Sequence, residues 1–247
     1  YEPWTLFTDG EWDHPSEVWH STEFLQWLYN ESPVRDTIVP NDRWGKETRG
    51  KLGGNFTTEY GIIEVYLGTE RRIEDVELDR PFEECRGMGK SFGLNRIETT
   101  EDYLSAKELI EMLCDLVSKG GNFLLNIGPA ADGTIPVIME ERLLQMGDWL
   151  RVNGEAIYSS RIYSKKLQEG VYYTKKPDAD YAILNRFPFG SQVLELVEYD
   201  ENLKATLLGS DAEIEIRNNG GKAELIFPAI NPESIDSNYL YTFRLTK

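Results

Sequence analysis

The spacing of apolar residues changes near residue 160, and this change limits the fold more than any other feature of the chain. Before it, strand-like runs alternate with segments of helical spacing. After it, seven short β-type runs follow one another, separated by Gly, Pro, Asn and Asp, which is typical of an antiparallel β-sandwich. We therefore predict two domains, residues 1–160 of α/β type and residues 161–247 of all-β type. The seven runs are Val171–Thr174, Tyr181–Leu184, Val193–Val197, Ala205–Leu208, Ala212–Ile216, Ala223–Phe227 and Tyr239–Leu245.

The clearest helix signals lie in the later part of the first domain. Ser105 and Glu108 form a capping-box pattern that predicts a helix over Ser105–Lys119, which the following glycines end. Phe123–Ile127 is a nearly continuous apolar run, typical of a strand buried on both faces. A second helix is predicted over Val137–Asn153. Its predicted inward side chains are Ile138, Leu143, Met146 and Leu150.

Polar residues follow the first two predicted strands. Asp9 comes directly after the apolar run Trp4–Thr8, and Asn41–Arg43 follow the β-branched run Thr37–Val39, with a helix predicted from Ser21 between the two runs. Active sites of eight-stranded α/β barrels lie at the C-terminal ends of the strands, so this pattern fits a barrel. The first domain holds about four strand–helix units, which is half of such a barrel. Two alternatives stay open: part of a longer barrel chain, or a smaller open sheet.

The charge argues against two classes of partner. A formal charge of −17 at pH 7 disfavours nucleic acid, whose phosphates need Lys and Arg, and an anionic membrane surface. No apolar run approaches the roughly 20 residues of a membrane span. The charge has two explanations: solubility, or an acidic working compartment in which carboxylate protonation relieves self-repulsion.

Histidine and cysteine are scarce. The chain has 2 His and 2 Cys, so a histidine-based metal site is not expected. Cys114 lies in the apolar stripe of the predicted helix and is expected to be a buried thiol. Cys85 has an alternative, because pairing with a cysteine outside the chain stays open.

Two sequons indicate a secretory route. Asn30-Glu-Ser and Asn55-Phe-Thr match the acceptor pattern for N-glycosylation, which predicts sugar at Asn30 and Asn55. Because glycosylation of this type takes place in the secretory pathway, these sequons predict passage through that pathway. Homo-oligomerisation stays open.

Two carboxylates stand out as candidate catalytic groups, because hydrolysis of a glycosidic bond needs a pair of them. Asp9 ends an apolar run and precedes Gly10, which lets a ligand approach the backbone closely. The alternative for Asp9 is a turn or helix-cap role. Glu59 follows a glycine-rich stretch, and a loop of that kind can deliver a general acid.

Two further residues are candidates for substrate binding. Arg43 follows a strand end and can bind hydroxyls or a carboxylate of a substrate. The alternative role for Arg43 is an ion pair with a neighbouring acid such as Asp42. Phe92, in the stretch Ser91–Asn95, can stack on the face of a sugar, and its alternative is packing in the core.

Several stretches together resemble the α-L-fucosidases, family 29 of the glycoside hydrolases, in the subgroup of the lysosomal animal enzymes. The resemblance spans nearly the whole chain and is weakest in the all-β part. The matching stretches are FTDGEWDHP at 7–15, STEFLQWLYNESPVRD at 21–36, NDRWGKETRGK at 41–51, TTEYG at 57–61, CRGMGKSFGLNR at 85–96, LVSKGGNFLLNIGPAADGTI at 116–135 and WLRVNGEAIY at 149–158.

The resemblance implies a retaining hydrolysis of α-L-fucosides. It also implies neither a metal nor an organic cofactor, and a location in the lysosome or the extracellular space. Asp9 corresponds to the nucleophile that forms a covalent fucosyl–enzyme intermediate, and Glu59 to the general acid/base, on a loop that varies across the family. Retention requires the two carboxyl groups about 5–5.5 Å apart. Arg43 corresponds to a substrate-binding residue, Phe92 to an aromatic against the apolar side of the sugar, and Trp12 is expected to border the same pocket.

The implied fold is the C-terminal half of a (β/α)8 barrel followed by an antiparallel β-sandwich. Family members carry a long segment before the nucleophile strand, including histidines that hold the fucose hydroxyls, so we expect the 247-residue chain alone to be poorly active. This sequence also departs from the family pattern at Pro40, Phe82 and Leu94. The expected partners are fucosylated glycoproteins, glycolipids and oligosaccharides. The alternatives are a non-catalytic fucose- or glycan-binding protein derived from such an enzyme, and a different retaining glycosidase.

Overall fold

The structure is a computed structural model that describes residues 2–48, the backbone of Phe56–Thr58, and residues 82–247. The chain divides into two compact units, one of residues 1–86 and 121–124, the other of residues 87–120 and 125–247. This division does not test the predicted domain boundary between residues 160 and 161, which stays a prediction. The helices are α1 (Ser21–Asn30), α2 (Ala106–Ser118) and α3 (Val137–Asn153). The strands are β1 (Thr5–Leu6), β2 (Val39–Pro40), β3 (Phe56–Thr58), β4 (Phe82–Gly87), β5 (Gly121–Asn126), β6 (Arg161–Ile162), β7 (Val171–Lys175), β8 (Asp180–Leu184), β9 (Ser191–Glu198), β10 (Lys204–Leu207), β11 (Glu213–Asn219), β12 (Lys222–Ile226) and β13 (Tyr241–Thr246).

The first unit begins with a β–α–β arrangement, as the alternating pattern predicts. β1 and β2 pair in parallel, and α1 lies between them in sequence. A parallel pair needs a crossover connection, and here the amphipathic helix supplies it. The apolar face of α1 closes a small core with the following segment and β1, made of Leu28, Val34 and Ile38 with Leu6 and Leu25 packed against it.

Pro40 is tolerated in β2 because the ladder does not need its missing N–H. The Val39 N–H donates to the Trp4 carbonyl (2.9 Å), and the Asn41 N–H donates to the Leu6 carbonyl (3.0 Å). Alternate residues of a parallel strand donate to the same neighbour, and Pro40 is the residue that does not.

A second, three-stranded sheet has the order β3-β4-β5, with β3 and β4 parallel. Phe82 is 1% exposed, and its ring packs so closely on Gly121 that no Cβ fits there. β5 confirms the strand predicted over Phe123–Ile127, but burial on both faces is wrong, because Leu124 is 38% exposed.

The two helices of the second unit agree closely with the sequence pattern. At the start of α2, the Glu108 N–H donates to Ser105 Oγ and the Ser105 N–H donates to Glu108 Oε2 (2.8 Å), so the capping box is confirmed. α3 has the predicted bounds, but its buried side chains include Met139 and Trp149, which the inward set omitted. The Trp149 indole N–H donates to the Leu240 carbonyl (2.8 Å).

The last eight strands form one antiparallel sheet in the order β6-β7-β8-β13-β10-β11-β12-β9, which confirms the predicted all-β character. This sheet curls until its two ends meet. Gln168, just before β7, accepts from the Glu195 N–H (2.9 Å) and donates to the Val193 carbonyl (2.8 Å) of β9. The strands therefore form one curled sheet around a single core, where the sequence predicted an antiparallel β-sandwich. The buried residues of this core include Tyr173, Leu184, Leu194, Leu207, Leu225, Phe243 and Leu245.

Both cysteines are buried and free of disulfides. Burial raises the pKa of the Cys114 thiol well above its ordinary value, with the charges of Glu111 and Asp115 adding to the rise. The buried-thiol prediction for Cys114 is confirmed. The burial of Cys85 disfavours its pairing with a cysteine of another chain.

Candidate active site

Hydrogen bonds from polar side chains join the ends of β1 and β2. The Asn41 amide donates to the Thr8 carbonyl (2.7 Å), and the Thr8 hydroxyl lies 2.8 Å from Asn41 Oδ1 and 2.5 Å from the Arg43 carbonyl. Because both strands end at the same edge of a parallel pair, the residues that follow them emerge side by side. This places Asp9 next to Arg43.

Asp9 and Arg43 form the central pair of the site. The Arg43 guanidinium Nη1 donates to Asp9 Oδ1 at 2.8 Å. The Arg43 side chain is 4% exposed, whereas the Asp9 side chain is 57% exposed. A buried cation therefore holds one oxygen of a carboxylate that solutes can still reach. The alternative predicted for Arg43 was an ion pair with a neighbouring acid such as Asp42; the structure gives an ion pair with Asp9.

The backbone around Asp9 turns sharply. Gly10 has a φ of 91°, in the left-handed region that favours glycine, and nothing lies within 4 Å of where a Cβ would stand. The ring of Phe7 lies under the guanidinium, with 5.0 Å from its centroid to Arg43 Cζ, at a distance typical of a cation–π contact. The aromatic ring and the carboxylate thus both fix the guanidinium.

The segments after β1 and β2 pack on each other. The Lys46 N–H donates to the His14 carbonyl (3.1 Å), and the Ser16 N–H donates to Glu47. Gly45 lies so close to the Ser16 backbone that a Cβ would stand 2.7 Å from Ser16 Cα. These contacts hold the segment that carries Trp12, which is 58% exposed and available to border a pocket.

The carboxylates of FTDGEWDHP differ in burial. Asp13 is exposed, as expected of a loop acid, but Glu11 is 5% exposed. Glu11 is therefore part of the packed interior. Sequence spacing alone offers no signal for this burial.

Glu83, a residue that sequence reasoning did not select, shares the electrostatic environment of Arg43. Burial of this half-buried side chain in β4 raises the pKa of its carboxyl, and the positive charge of Arg43 opposes the rise. The sequence signal that could have identified Glu83 is its place in strand β4, since alternate residues of a strand point to opposite faces of the sheet.

The remaining predicted residues have three different outcomes. Glu59 and Asn55 lie outside the described residues, so the separation of the two proposed catalytic carboxyls stays a prediction. Asn30 lies exposed at the end of α1, where its amide donates to the Gln26 carbonyl (2.6 Å). Phe92 is 52% exposed, which excludes the alternative of core packing; it belongs to the second unit.

Neither a metal site nor a membrane span is found in the described part of the chain. Its His, Cys, Asp and Glu side chains form no cluster of three or more that could hold a metal ion. Likewise, no helix within the described ranges is long and apolar enough to cross a membrane.

A family model described as "Alpha-L-fucosidase" matches residues 1–155. Tissue α-L-fucosidase of rat is 38% identical over 254 aligned residues, which cover 100% of this chain and 53% of that protein. The human tissue enzyme is also 38% identical, over 253 residues. Plasma α-L-fucosidase of rat is 44% identical over 199 residues, covering 78% of this chain and 41% of the relative. The chain spans about half the length of the curated relatives it matches.

Solved structures agree with these relatives. The chain is similar to Thermotoga maritima α-fucosidase in complex with a mechanism-based inhibitor, with a TM-score of 0.76 and 28% identity over 100% of this chain and 53% of that one. The complex of the same enzyme with fucose gives a TM-score of 0.74 and 29% identity. With a family model over residues 1–155 and relatives matching along the whole chain, this polypeptide belongs to the α-L-fucosidase family, family 29 of the glycoside hydrolases.

Proposed function

We propose that this chain carries the catalytic nucleophile of a retaining α-L-fucosidase. The observation that supports this most strongly is the pair at the ends of two parallel strands: the accessible carboxylate of Asp9 held at 2.8 Å by the buried Arg43. A nucleophilic carboxylate must be ionised, oriented and reachable by the anomeric carbon. The bond from Arg43 orients one Asp9 oxygen, and the exposure of Asp9 supplies the access.

The proposed reaction has two steps. In the first, an Asp9 oxygen attacks the anomeric carbon of fucose while Glu59 donates a proton to the leaving oxygen, which breaks the glycosidic bond and forms a fucosyl ester. In the second, Glu59 removes a proton from water, which displaces Asp9 and releases fucose. Arg43 orients the nucleophile, and Phe92 and Trp12 are proposed to contact the sugar. The substrates are fucosylated glycoproteins, glycolipids and oligosaccharides.

The parallel pairs β1–β2 and β3–β4 support a further proposal: residues 1–160 form the C-terminal half of a (β/α)8 barrel. In such a barrel the active site needs strands from the whole circle. We therefore propose that the 247-residue chain is poorly active by itself. Rapid hydrolysis of an aryl α-L-fucoside by the purified chain would refute this.

Asp9→Gly tests the nucleophile in the protein that carries this chain. We expect turnover of an aryl α-L-fucoside to fall by about 10³-fold or more, because no other group replaces the attacking oxygen. Asp13→Gly, in the same exposed segment, is the matched control and should retain activity. Turnover that survives in Asp9→Gly, with a normal Asp13→Gly control, contradicts the assignment.

The variants Asp9→Gly and Asp13→Gly also distinguish the enzyme from the alternative, a non-catalytic fucose-binding protein. A binder would bind L-fucose without hydrolysing any fucoside, and Asp9→Gly would change binding alone. Retention of the Asp9–Arg43 pair favours the enzyme, since a binder does not need an oriented nucleophile.

We also propose a secretory location, lysosomal or extracellular. The exposed position of Asn30 leaves it accessible to glycosylation enzymes. A mass shift on enzymatic deglycosylation that is reduced in Asn30→Gln would support this proposal. No shift in protein from a secreting host would refute it.

A further inference from the structure

The turn that carries Phe92 is part of a long excursion between β4 and α2. The excursion closes at its base, where the Leu104 N–H donates to the Met88 carbonyl (3.1 Å). Lys90 and Asp102 form an ion pair at 2.6 Å just above that base. These contacts fix where the excursion starts and ends, but none of them reaches Phe92 at its exposed tip.

The tip is held by a residue of β5. The Asn126 side-chain amide donates to the Phe92 carbonyl at 2.5 Å. The Asn126 backbone carbonyl accepts from the Met88 N–H at 3.0 Å. One residue of a regular strand therefore binds the excursion at its base and at its tip. Because the bond is to the carbonyl of Phe92 itself, it restricts the backbone from which the ring projects.

A glycine two residues later provides the space for this contact. A Cβ on Gly128 would stand 2.6 Å from the Gly93 carbonyl carbon and would also collide with the Leu94 N–H group. Both are backbone atoms, which cannot rotate away as a side chain can. Gly128 therefore lets the turn approach closely enough for the Asn126 amide to reach it.

We propose that Asn126, with Gly128, is a positioning residue that holds the ring of Phe92 where it contacts the sugar. This inference rests on the function proposed above. Asn126 itself does not touch substrate in this proposal. The turn has two internal bonds, from Asn95 to Ser91 (3.1 Å) and from the Ile97 N–H to Asn95 (3.1 Å). These keep its local shape, whereas Asn126 fixes its place relative to the strand.

Asn126→Asp tests the proposal, because aspartate has the same shape but presents an acceptor to the Phe92 carbonyl. We expect KM for an aryl α-L-fucoside to rise by about 2- to 10-fold, because the loss of one hydrogen bond changes a binding constant by about that factor. We expect kcat to stay within about 2-fold, because the reacting groups are untouched. Asn122→Asp is the matched control, since Asn122 is an exposed asparagine of the same strand. Gly128→Ala should raise KM as Asn126→Asp does.

A double-mutant cycle separates positioning from general destabilisation. In a Phe92→Ala background, the ring is absent, so Asn126→Asp should raise KM no further. An Asn126→Asp effect that simply adds to the Phe92→Ala effect, or an unchanged KM in Asn126→Asp alone, overturns the proposal.

Amide hydrogen exchange in the free protein supplies a readout that needs no substrate. The amides of Gly93–Asn95 should exchange faster in Asn126→Asp than in the unaltered protein or in Asn122→Asp. Unchanged exchange overturns the anchoring role whatever the kinetics show. If the unaltered protein neither hydrolyses fucosides nor binds L-fucose, the proposed function fails, and the exchange result still decides whether Asn126 anchors the turn.

Discussion

Arg43 couples a buried position to an exposed one. Its guanidinium lies in the interior over Phe7, and one nitrogen reaches the carboxylate of Asp9. The planar fork of arginine suits this geometry, since it offers several donors in fixed directions. Orientation of Asp9 therefore depends on the shape of the arginine head group as well as on its charge.

Arg43→Lys should lower kcat/KM by about 10-fold or more, because lysine keeps the charge but loses the rigid fork that orients Asp9. Steady-state kinetics with an aryl α-L-fucoside measure the effect. Arg35→Lys is the control, because Arg35 is half exposed and pairs with the exposed Asp36. Equal kcat/KM values for Arg43→Lys and the unaltered protein would contradict the orienting role.

The contribution of Glu83 to the stability of the fold depends on pH. Burial raises the pKa of its carboxyl above the ordinary value of 4.5, so the folded chain holds this proton more tightly than the unfolded chain. Stability from this group is present below pH 4.5 and is lost as pH rises through the folded pKa. Glu83→Gln should therefore raise Tm by about 1–3 °C at pH 7, and the gain should shrink below pH 4.5. Thermal melts at both values test this; a gain that is larger at the lower pH has the wrong sign.

Among the elements, α2 illustrates how local chemistry sets a helix start. The Ser105 and Glu108 groups satisfy each other's backbone N–H in the capping box. Ser105→Ala should cost about 1 kcal/mol, or about 2–4 °C in Tm. Glu108→Gln preserves the box and should change Tm little. Equal melting temperatures for Ser105→Ala and Glu108→Gln would show that the cap contributes nothing.

Glu111 of α2 joins the helix to the curled sheet. Its Oε1 accepts from the Tyr172 hydroxyl (2.9 Å) and the Asn185 amide (2.8 Å). Burial raises the pKa of Tyr172, and the charge of Glu111 adds to the rise, so the hydroxyl stays a donor.

Glu111→Leu should destabilise the protein by about 2–3 kcal/mol, because it leaves the Tyr172 and Asn185 donors without their partner. Urea unfolding measures the loss. Lys107→Leu, one turn earlier on the same helix and exposed, is the control. A loss no greater than that of the control would mean that solvent replaces Glu111 at no cost.

For the molecule as a whole, the −17 charge predicts a stability maximum on the acidic side of neutrality. Lowering the pH from 8 to about 5 should raise Tm as partial protonation relieves repulsion, and about 0.5 M salt should weaken this trend. At lower pH the trend reverses, because acids whose pKa is lowered by partners lose that stabilisation. Lys90 lowers the pKa of Asp102 to about 2, and Lys247 lowers that of Asp200. A Tm that climbs steadily to pH 8 would contradict the expectation.

Local signals predicted the elements well and their environment less well. α3 has the predicted bounds, and each of the seven β-type runs became a strand, because helix caps and alternating apolar residues act over a few positions. The exposure of Leu124 and the burial of Glu11 were not predictable. Both depend on which distant segments cover a residue, and sequence spacing carries no such information.

The sequence by itself determined the family and the order of helices and strands, and it identified Asp9 and Arg43 as separate candidates. Only the tertiary structure decided that these two residues meet at 2.8 Å, that the last eight strands form one curled sheet, and that Asn126 holds the turn of Phe92. The physical reason is separation along the chain. Asp9 and Arg43 are 34 residues apart, as are Phe92 and Asn126, and contacts over such a span depend on how the strands pair.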